Sequence, residues 1–268
     1  MGYYGRPIVK EPVWKVPDVP AYLFLGGMAG ASASMAVAAQ VSGHSELVGP
    51  ARITAAVGSL ASVGALVHDL GRPARFLNML RVFKVTSPLS VGSWILAPFS
   101  GLTALSAATS VTGRFGGIGT LAGMAAGILG PAMCTYTSVL LADTAVPAWH
   151  QAYPELPFVF AGSAMASAAG ASLLSRPSGP AVRLGLLGGG LELASEAVLE
   201  RRVETYRSSG LLTAAKALTV AGAGLSLLPR HRVASVLAGA SYLAAGVCTR
   251  FGIYRAGPAS LRQEQSLR

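Results

Sequence analysis

Long apolar stretches alternate with short polar joints along this chain. Eight stretches of about 17 to 24 residues fill it from Ala21 to about Arg250, at roughly 21–43, 51–70, 91–112, 117–142, 156–175, 181–200, 211–228 and 232–250. A hydrocarbon core about 30 Å thick is crossed by roughly 20 apolar residues in a helix, and lipid offers no partner to the backbone of open loops or sheet edges. The pattern therefore predicts an all-α, polytopic integral membrane protein with eight transmembrane helices. One joint has its own pattern: Phe76, Leu80 and Phe83 fall on one helical face, with Arg72, Arg75, Arg81 and Lys84 around it. That spacing predicts a short helix over about 73–84 lying in the membrane interface, or else a snorkelling loop between two spans.

Composition sharpens the picture in three ways. Gly is 33 of 268 residues while hydrophobic residues make up 52%, so the apolar runs are rich in small side chains that let helix backbones approach. Gly26 and Gly30, Gly119, Gly123 and Gly127, and Gly185 and Gly189 follow the small-xxx-small spacing of packed membrane helices. Only Cys134 and Cys248 occur, both inside helical stretches, which excludes a disulfide scaffold and any cysteine-ligated iron–sulfur cluster held by this chain alone. Ahead of the first stretch, Arg6, Lys10, Glu11, Lys15 and Asp18 precede an apolar run too long for a secretory signal, so the first helix is expected to be its own insertion signal.

The net charge of +10 would suit a nucleic acid, but the basic residues sit at helix ends and in short joints, without a stripe or soluble domain to present them. They report topology instead. With eight spans both termini share a face, and of the 21 Lys and Arg, 15 lie there (among them Arg6, Lys10, Arg250 and Arg268), against Arg52, Arg114, Arg176, Arg183, Arg230 and Arg232 opposite. The positive-inside rule then makes the termini cytoplasmic. A basic face would equally serve an acidic electron-transfer partner docking on that side.

Ionisable side chains in or near spans are costly and mark candidate sites. His68 and Asp69 end the second stretch and could exchange protons with a ligand near the surface; the structural alternative is an interfacial ion pair of Asp69 with Arg72 or Arg75. Asp143 ends the fourth stretch, seven residues after Tyr136, a phenol that either finds a partner in the core or donates to a ligand carbonyl. Glu192 and Glu196 share a face of the sixth stretch at i and i+4, the arrangement of a proton relay or of a structural pairing with Lys216 or Arg201. His44 and His231 fall at one surface and His68 and His150 at the other, so no pair is placed to ligate haem within the bundle, and no metal, zinc or phosphate-loop spacing occurs.

Four runs carry a resemblance: Trp14–Gly27 (WKVPDVPAYLFLGG), His68–Lys84 (HDLGRPARFLNMLRVFK), Ser87–Trp94 (SPLSVGSW) and Tyr136–Trp149 (YTSVLLADTAVPAW). They resemble the NrfD-like membrane subunits of the polysulfide reductase family, well over the first five helices and mainly by hydropathy over the last three. The resemblance implies two four-helix bundles: a surface segment over 1–20, a first bundle over 21–150, a second over 151–250 and a tail over 251–268. It implies a bacterial inner-membrane subunit without haem or metal. Such a subunit exchanges electrons between menaquinone or ubiquinone and a docked ferredoxin-like iron–sulfur subunit, which serves a molybdopterin catalytic subunit of formate dehydrogenase or sulfur-compound reductase type.

In this family a tyrosine of the fourth helix lies at the quinone, which corresponds here to Tyr136. Where better-known members have Asn and His in the first helix, this chain offers Tyr22, flanked by Asp18. The expected quinone site is then Tyr136, His68, Asp69 and Tyr22, with Asp143, Glu192 and Glu196 on a proton path and Arg72, Arg75, Arg81 and Lys84 docking the partner. Two competing functions are a secondary transporter, whose sites lie near the membrane midplane, and a purely structural anchor. Pro98 and Pro131 interrupt apolar runs as transporter helices often are, but no half-to-half repeat is visible and the acids gather toward one surface.

Overall fold

The computed structural model describes residue 12, residues 14–228 and residues 231–266, with side chains through residue 263. Arg6, Lys10, Glu11, Arg230 and Arg268 lie outside the described residues, as does most of the surface segment over 1–20. Among the described residues there are helices and no strands. In chain order they are α1 (Asp18–Val41), α2 (Ser45–Leu70), α3 (Ala74–Met79), α4 (Pro88–Thr112), α5 (Gly116–Ala142), α6 (Pro147–Gln151), α7 (Leu156–Ser175), α8 (Gly179–Arg202), α9 (Glu204–Arg207), α10 (Gly210–Ser226) and α11 (Arg232–Ser266).

Six of these, α1, α2, α4, α5, α7 and α11, are long and apolar enough to cross a membrane. The other two long helices fall short for separate reasons. α10 has only 17 residues, and α8 carries Glu192, Glu196, Glu200, Arg201 and Arg202 in its second half. Two of the carboxylates on α8, Glu192 and Glu196, are buried against neighbouring helices, while Arg201 and Arg202 at its end are exposed.

Local chemistry sets where the elements stop. Gly71 closes α2 in the left-handed conformation, at φ 70°, which costs glycine little. Ser87 is extended ahead of Pro88 and its hydroxyl accepts from Ser90 N–H, giving α4 a sharp start. This stop shortens the predicted interfacial helix: α3 ends at Met79, and Phe83 lies beyond it. Ser90 Oγ holds the intervening turn by accepting from Lys84 N–H and donating to Val82 O. Phe76 alone of the expected apolar face packs on the core as a partly buried side chain, while Phe83 stays exposed and meets Trp94 edge to face. The last helix differs in the other direction. It does not end near residue 250 but runs on to Ser266 through Pro258, giving one helix of 35 residues.

α1 packs on α2 and α5, and α4 on α2 and α5; α7 packs on α8 and α11, and α10 on α11 and α8. The two groups join where α1 and α5 meet α7 and where α1 meets α11. Three crossings bring backbone against backbone. A Cβ on Gly30 of α1 would lie 2.6 Å from Gly130 O of α5, one on Gly162 of α7 would lie 2.5 Å from Glu192 N of α8, and one on Gly170 of α7 would lie 2.8 Å from Gly239 O of α11. Close approach of this kind is how helices gain packing where lipid supplies no hydrophobic drive.

At the end where α1 begins, an aromatic clasp ties the chain ahead of α1 to the far half. Trp14 stacks on the fully buried Trp149 of α6 with ring centroids 5.7 Å apart, and Trp149 in turn meets Tyr254 of α11. Trp149 Nε1 donates to Ile253 O at 2.8 Å and Tyr254 hydroxyl donates to Trp14 O at 2.7 Å. The tail of α11 is thus packed structure continuous with the second group of helices.

Candidate functional site

The start of α1, the end of α2 and the end of α5 converge at one end of the molecule, and the chemistry gathers there. Asp18 and Tyr22 stand one turn apart on α1, hence on one face. Asp18 Oδ2 receives His68 Nδ1 at 2.7 Å, with the imidazole 76% exposed and the carboxylate 14%. One turn deeper, the buried hydroxyls of Tyr22 and Tyr136 hydrogen-bond to each other, their rings edge to face with centroids 6.4 Å apart. Water therefore reaches the His68–Asp18 pair, while the two phenols one turn along α1 are buried.

The tyrosine pair depends on what surrounds it. Gly92 of α4 lies flat against the Tyr136 ring, where a Cβ would come within 2.5 Å of Cε2. Ser62 of α2 donates to Tyr22 O at 3.1 Å and fixes α1 against α2 at that level. Two hydroxyls that share one hydrogen bond use one of their two protons between them, so one O–H remains to donate to a third group. A carbonyl held at the pair would find that donor in a buried setting, since both tyrosines belong to the main apolar core, where an unsatisfied partner is costly.

His68 and Asp69 part company. Asp69 Oδ1 accepts from Lys15 N–H at 2.8 Å, which anchors the strand of chain leading into α1, so Asp69 holds the entry segment while His68 faces Asp18. The ion pair of Asp69 with Arg72 or Arg75 does not form; Arg75 Nη1 instead donates to Leu70 O at 3.0 Å. Arg72, Arg75, Arg81 and Lys84 are all exposed on the connection between α2 and α4, at the same end as His68. Asp143 caps α5 in an exposed position, about 10 Å along the helix from Tyr136, and is not part of the hydroxyl pair.

Glu192 and Glu196 form a second, separate cluster on the buried face of α8. Glu192 accepts from Thr249 Oγ1 of α11 at 2.7 Å and from Thr219 Oγ1 of α10 at 3.2 Å. Glu196 is buried with neither carboxyl oxygen hydrogen-bonded among the described residues. Lys216 does not reach either of them: it pairs with Glu200, at 2.7 and 2.9 Å, one turn further toward the end of α8. The three glutamates thus run along one face from a partly exposed ion pair into the interior.

Sequence reasoning missed Arg250. It was counted only as a basic residue at the end of a span, yet it is 1% exposed and sits over the Phe160 ring at 3.8 Å. Its guanidinium donates to Phe160 O at 2.9 Å and to Leu23 O at 3.5 Å. It follows Thr249, the donor to Glu192, in sequence and hydrogen-bonds the backbone of Leu23, the residue after Tyr22, without pairing directly with either glutamate or either tyrosine. The signal was available in part: Arg250 is the one charge between Val233 and Tyr254. Placing the end of the span at that residue concealed it.

Among the described residues no group of three or more His, Cys, Asp or Glu side chains gathers as a metal site. The sequence profile described as "Polysulphide reductase, NrfD" matches residues 8–176, more than half of the chain and up to the end of α7. No curated protein matches the chain.

Proposed function

The chain belongs to the NrfD family of polysulphide reductases and is an integral membrane protein, and on that premise we propose that it is the quinone-reactive membrane subunit of an oxidoreductase complex. The eight long helices would all span, α1, α2, α4 and α5 as one four-helix bundle and α7, α8, α10 and α11 as a second, in a bacterial inner membrane with the termini cytoplasmic. The observation that carries the reading is the buried Tyr22–Tyr136 hydroxyl pair, one turn from the water-reaching His68–Asp18 pair. It offers a carbonyl a donor in a dry setting and offers protons a way in from the surface.

In this reading a quinone ring, menaquinone or ubiquinone, is the substrate and lies at the tyrosine pair. Tyr136 positions it by hydrogen bonding, Tyr22 holds Tyr136, and the His68 imidazole with Asp18 relays protons between water and the site. Electrons come and go through a ferredoxin-like iron–sulfur subunit docked on Arg72, Arg75, Arg81 and Lys84, with a molybdopterin subunit beyond it acting on formate or a sulfur compound. Asp69 supports the site by pinning the segment that enters α1. Asp143, at the same surface, serves proton entry. Glu200, Glu196, Glu192 and Arg250 supply a second proton route, from the partly exposed end of α8 toward Leu23 and the tyrosines.

Purification through a tag on this chain from its native host, in mild detergent, tests the proposal by mass spectrometry of what accompanies it. Recovery of a multi-cluster ferredoxin-like subunit with a molybdopterin subunit is the expected result. A chain that purifies alone in good yield would favour transport, for which the buried Glu192 and Glu196 are the supporting observation. The second route has its own test. Glu196→Gln and Glu192→Gln should leave quinone binding intact and lower proton uptake by the reconstituted complex at least about tenfold, the effect expected of losing a positioned proton carrier. Equal proton uptake in both variants and the parent would remove the glutamates from the path.

A further inference from the structure

Toward the end of α1 away from Tyr22, a groove of about 560 Å³ opens between α1, α5, α7 and α8. Its walls are apolar, with Ala31, Met35 and Leu47 on one side and Met165, Leu184 and Leu187 on the other. The lining positions on α1 run from Ala31 to Ser42, three turns or about 16 Å of helix. That length is close to half of a hydrocarbon core about 30 Å thick. The groove therefore extends from one membrane surface to the midplane, the depth of a single leaflet.

Its shape selects among occupants. It is an elongated, open slot lined almost wholly by apolar side chains. A hydrocarbon chain fits. Its mouth selects further: the basic side chains lining it are Arg183 and His44, with no carboxylate among the lining residues. Arg183 is exposed and makes no ion pair among the described residues, and His44 is held at the rim by Ser42 Oγ at 3.0 Å from Nδ1. A guanidinium without an ion-pair partner at the level of the lipid headgroups attracts an anionic group more strongly than a neutral one.

We propose that this groove is a binding site for an anionic phospholipid, one acyl chain lying between α1 and α8 and the phosphate at Arg183 and His44. The lipid fills the seam between the two groups of helices in the leaflet away from the tyrosines. The site is independent of the quinone-linked reading, since none of its lining residues belongs to the candidate functional site.

The test uses the whole protein with any subunits that remain attached, reconstituted into nanodiscs of equal parts phosphatidylcholine and phosphatidylglycerol and released for native mass spectrometry. The parent should retain one phosphatidylglycerol. Arg183→Gln, an exposed change that leaves the groove intact, should retain about fivefold less, the loss expected for one cationic side chain at a membrane surface. Ala38→Trp, placed on an exposed lining position of α1, should retain none because the indole fills the groove. Equal retention of phosphatidylcholine, retention of a quinone in place of phospholipid, no retained lipid, or retention unchanged by Arg183→Gln would each overturn the proposal.

Discussion

Tyr136→Phe should cut quinone-linked turnover at least about tenfold while the protein stays folded and any complex stays assembled. The substitution removes one hydroxyl and no ring volume, so the edge contact with Tyr22 and the fit against Gly92 survive. What disappears is the hydrogen bond between the two phenols and, with it, the arrangement that leaves one O–H directed at a third group. A hydrogen bond lost in a buried setting costs on the order of 1.5 kcal/mol, and about 1.4 kcal/mol in a barrier is a factor of ten in rate. The measurement is steady-state reduction or oxidation of a water-soluble quinone analogue by the purified complex, beside a count of its subunits. Unchanged turnover would take Tyr136 out of the site, and loss of the subunits would make its role structural.

Gly30→Val should damage both stability and turnover, because one contact supports both. Gly30 of α1 and Gly130 of α5 touch reciprocally: a Cβ on the first would lie 2.6 Å from Gly130 O and 2.7 Å from Met133 Cβ, and one on the second would lie 2.5 Å from Gly30 O. The clash is with backbone, so no rotamer relieves it and the helices must separate. Overpacking a core typically costs 1–3 kcal/mol, and a crossing with no side chain to move belongs at the upper end, about 3 kcal/mol. Tyr22 lies eight residues before this crossing and Tyr136 six after the facing glycine, so about 10 Å from the displaced point the two hydroxyls move apart. The expected outcome is a lower thermal midpoint in detergent together with turnover reduced as far as in Tyr136→Phe. A normal midpoint with normal turnover would show that the crossing can open freely.

Much of this arrangement could be read from the chain, and the failures have identifiable causes. The eight long helices were legible from the apolar stretches, six of them long and apolar enough to cross a membrane, and the starts that moved did so at proline. Pro50 suggested that the second stretch begins after it, whereas α2 starts at Ser45 and carries Pro50 within its first turns. The first amides of any helix have no intrahelical acceptor, so a proline close behind them interrupts few bonds. Tyr136 and Tyr22 were both singled out through the resemblance. That their hydroxyls meet was not legible, because it depends on how α1 crosses α5 at Gly30 and Gly130, a contact between residues 100 positions apart.

The charged residues divide the same way. Glu192 and Glu196 could be paired from their spacing alone, since i and i+4 fix a shared face. The partners of Glu192, Thr219 and Thr249, are hydroxyls on two other helices that no local pattern marks. Lys216 was expected near the buried acids and chose Glu200, which lies nearer the end of the helix and spares the ammonium a full desolvation. Arg250 was hidden because polar sequence beyond it looks like the end of a span, although a helix that leaves the membrane can continue in water at no cost to its backbone.

The glycine crossings have a practical consequence for how this molecule can be interrogated. Where backbone meets backbone, and where Ala29, Ala33, Ala55, Ala126, Ala164, Ala168 and Ala169 supply much of the remaining interior, a scan that trims side chains to alanine finds little to remove and will report the seams as silent. The informative library runs the other way, adding one methyl and then several at each small position. Tolerance in that series would trace, residue by residue, which helices touch and which merely run alongside.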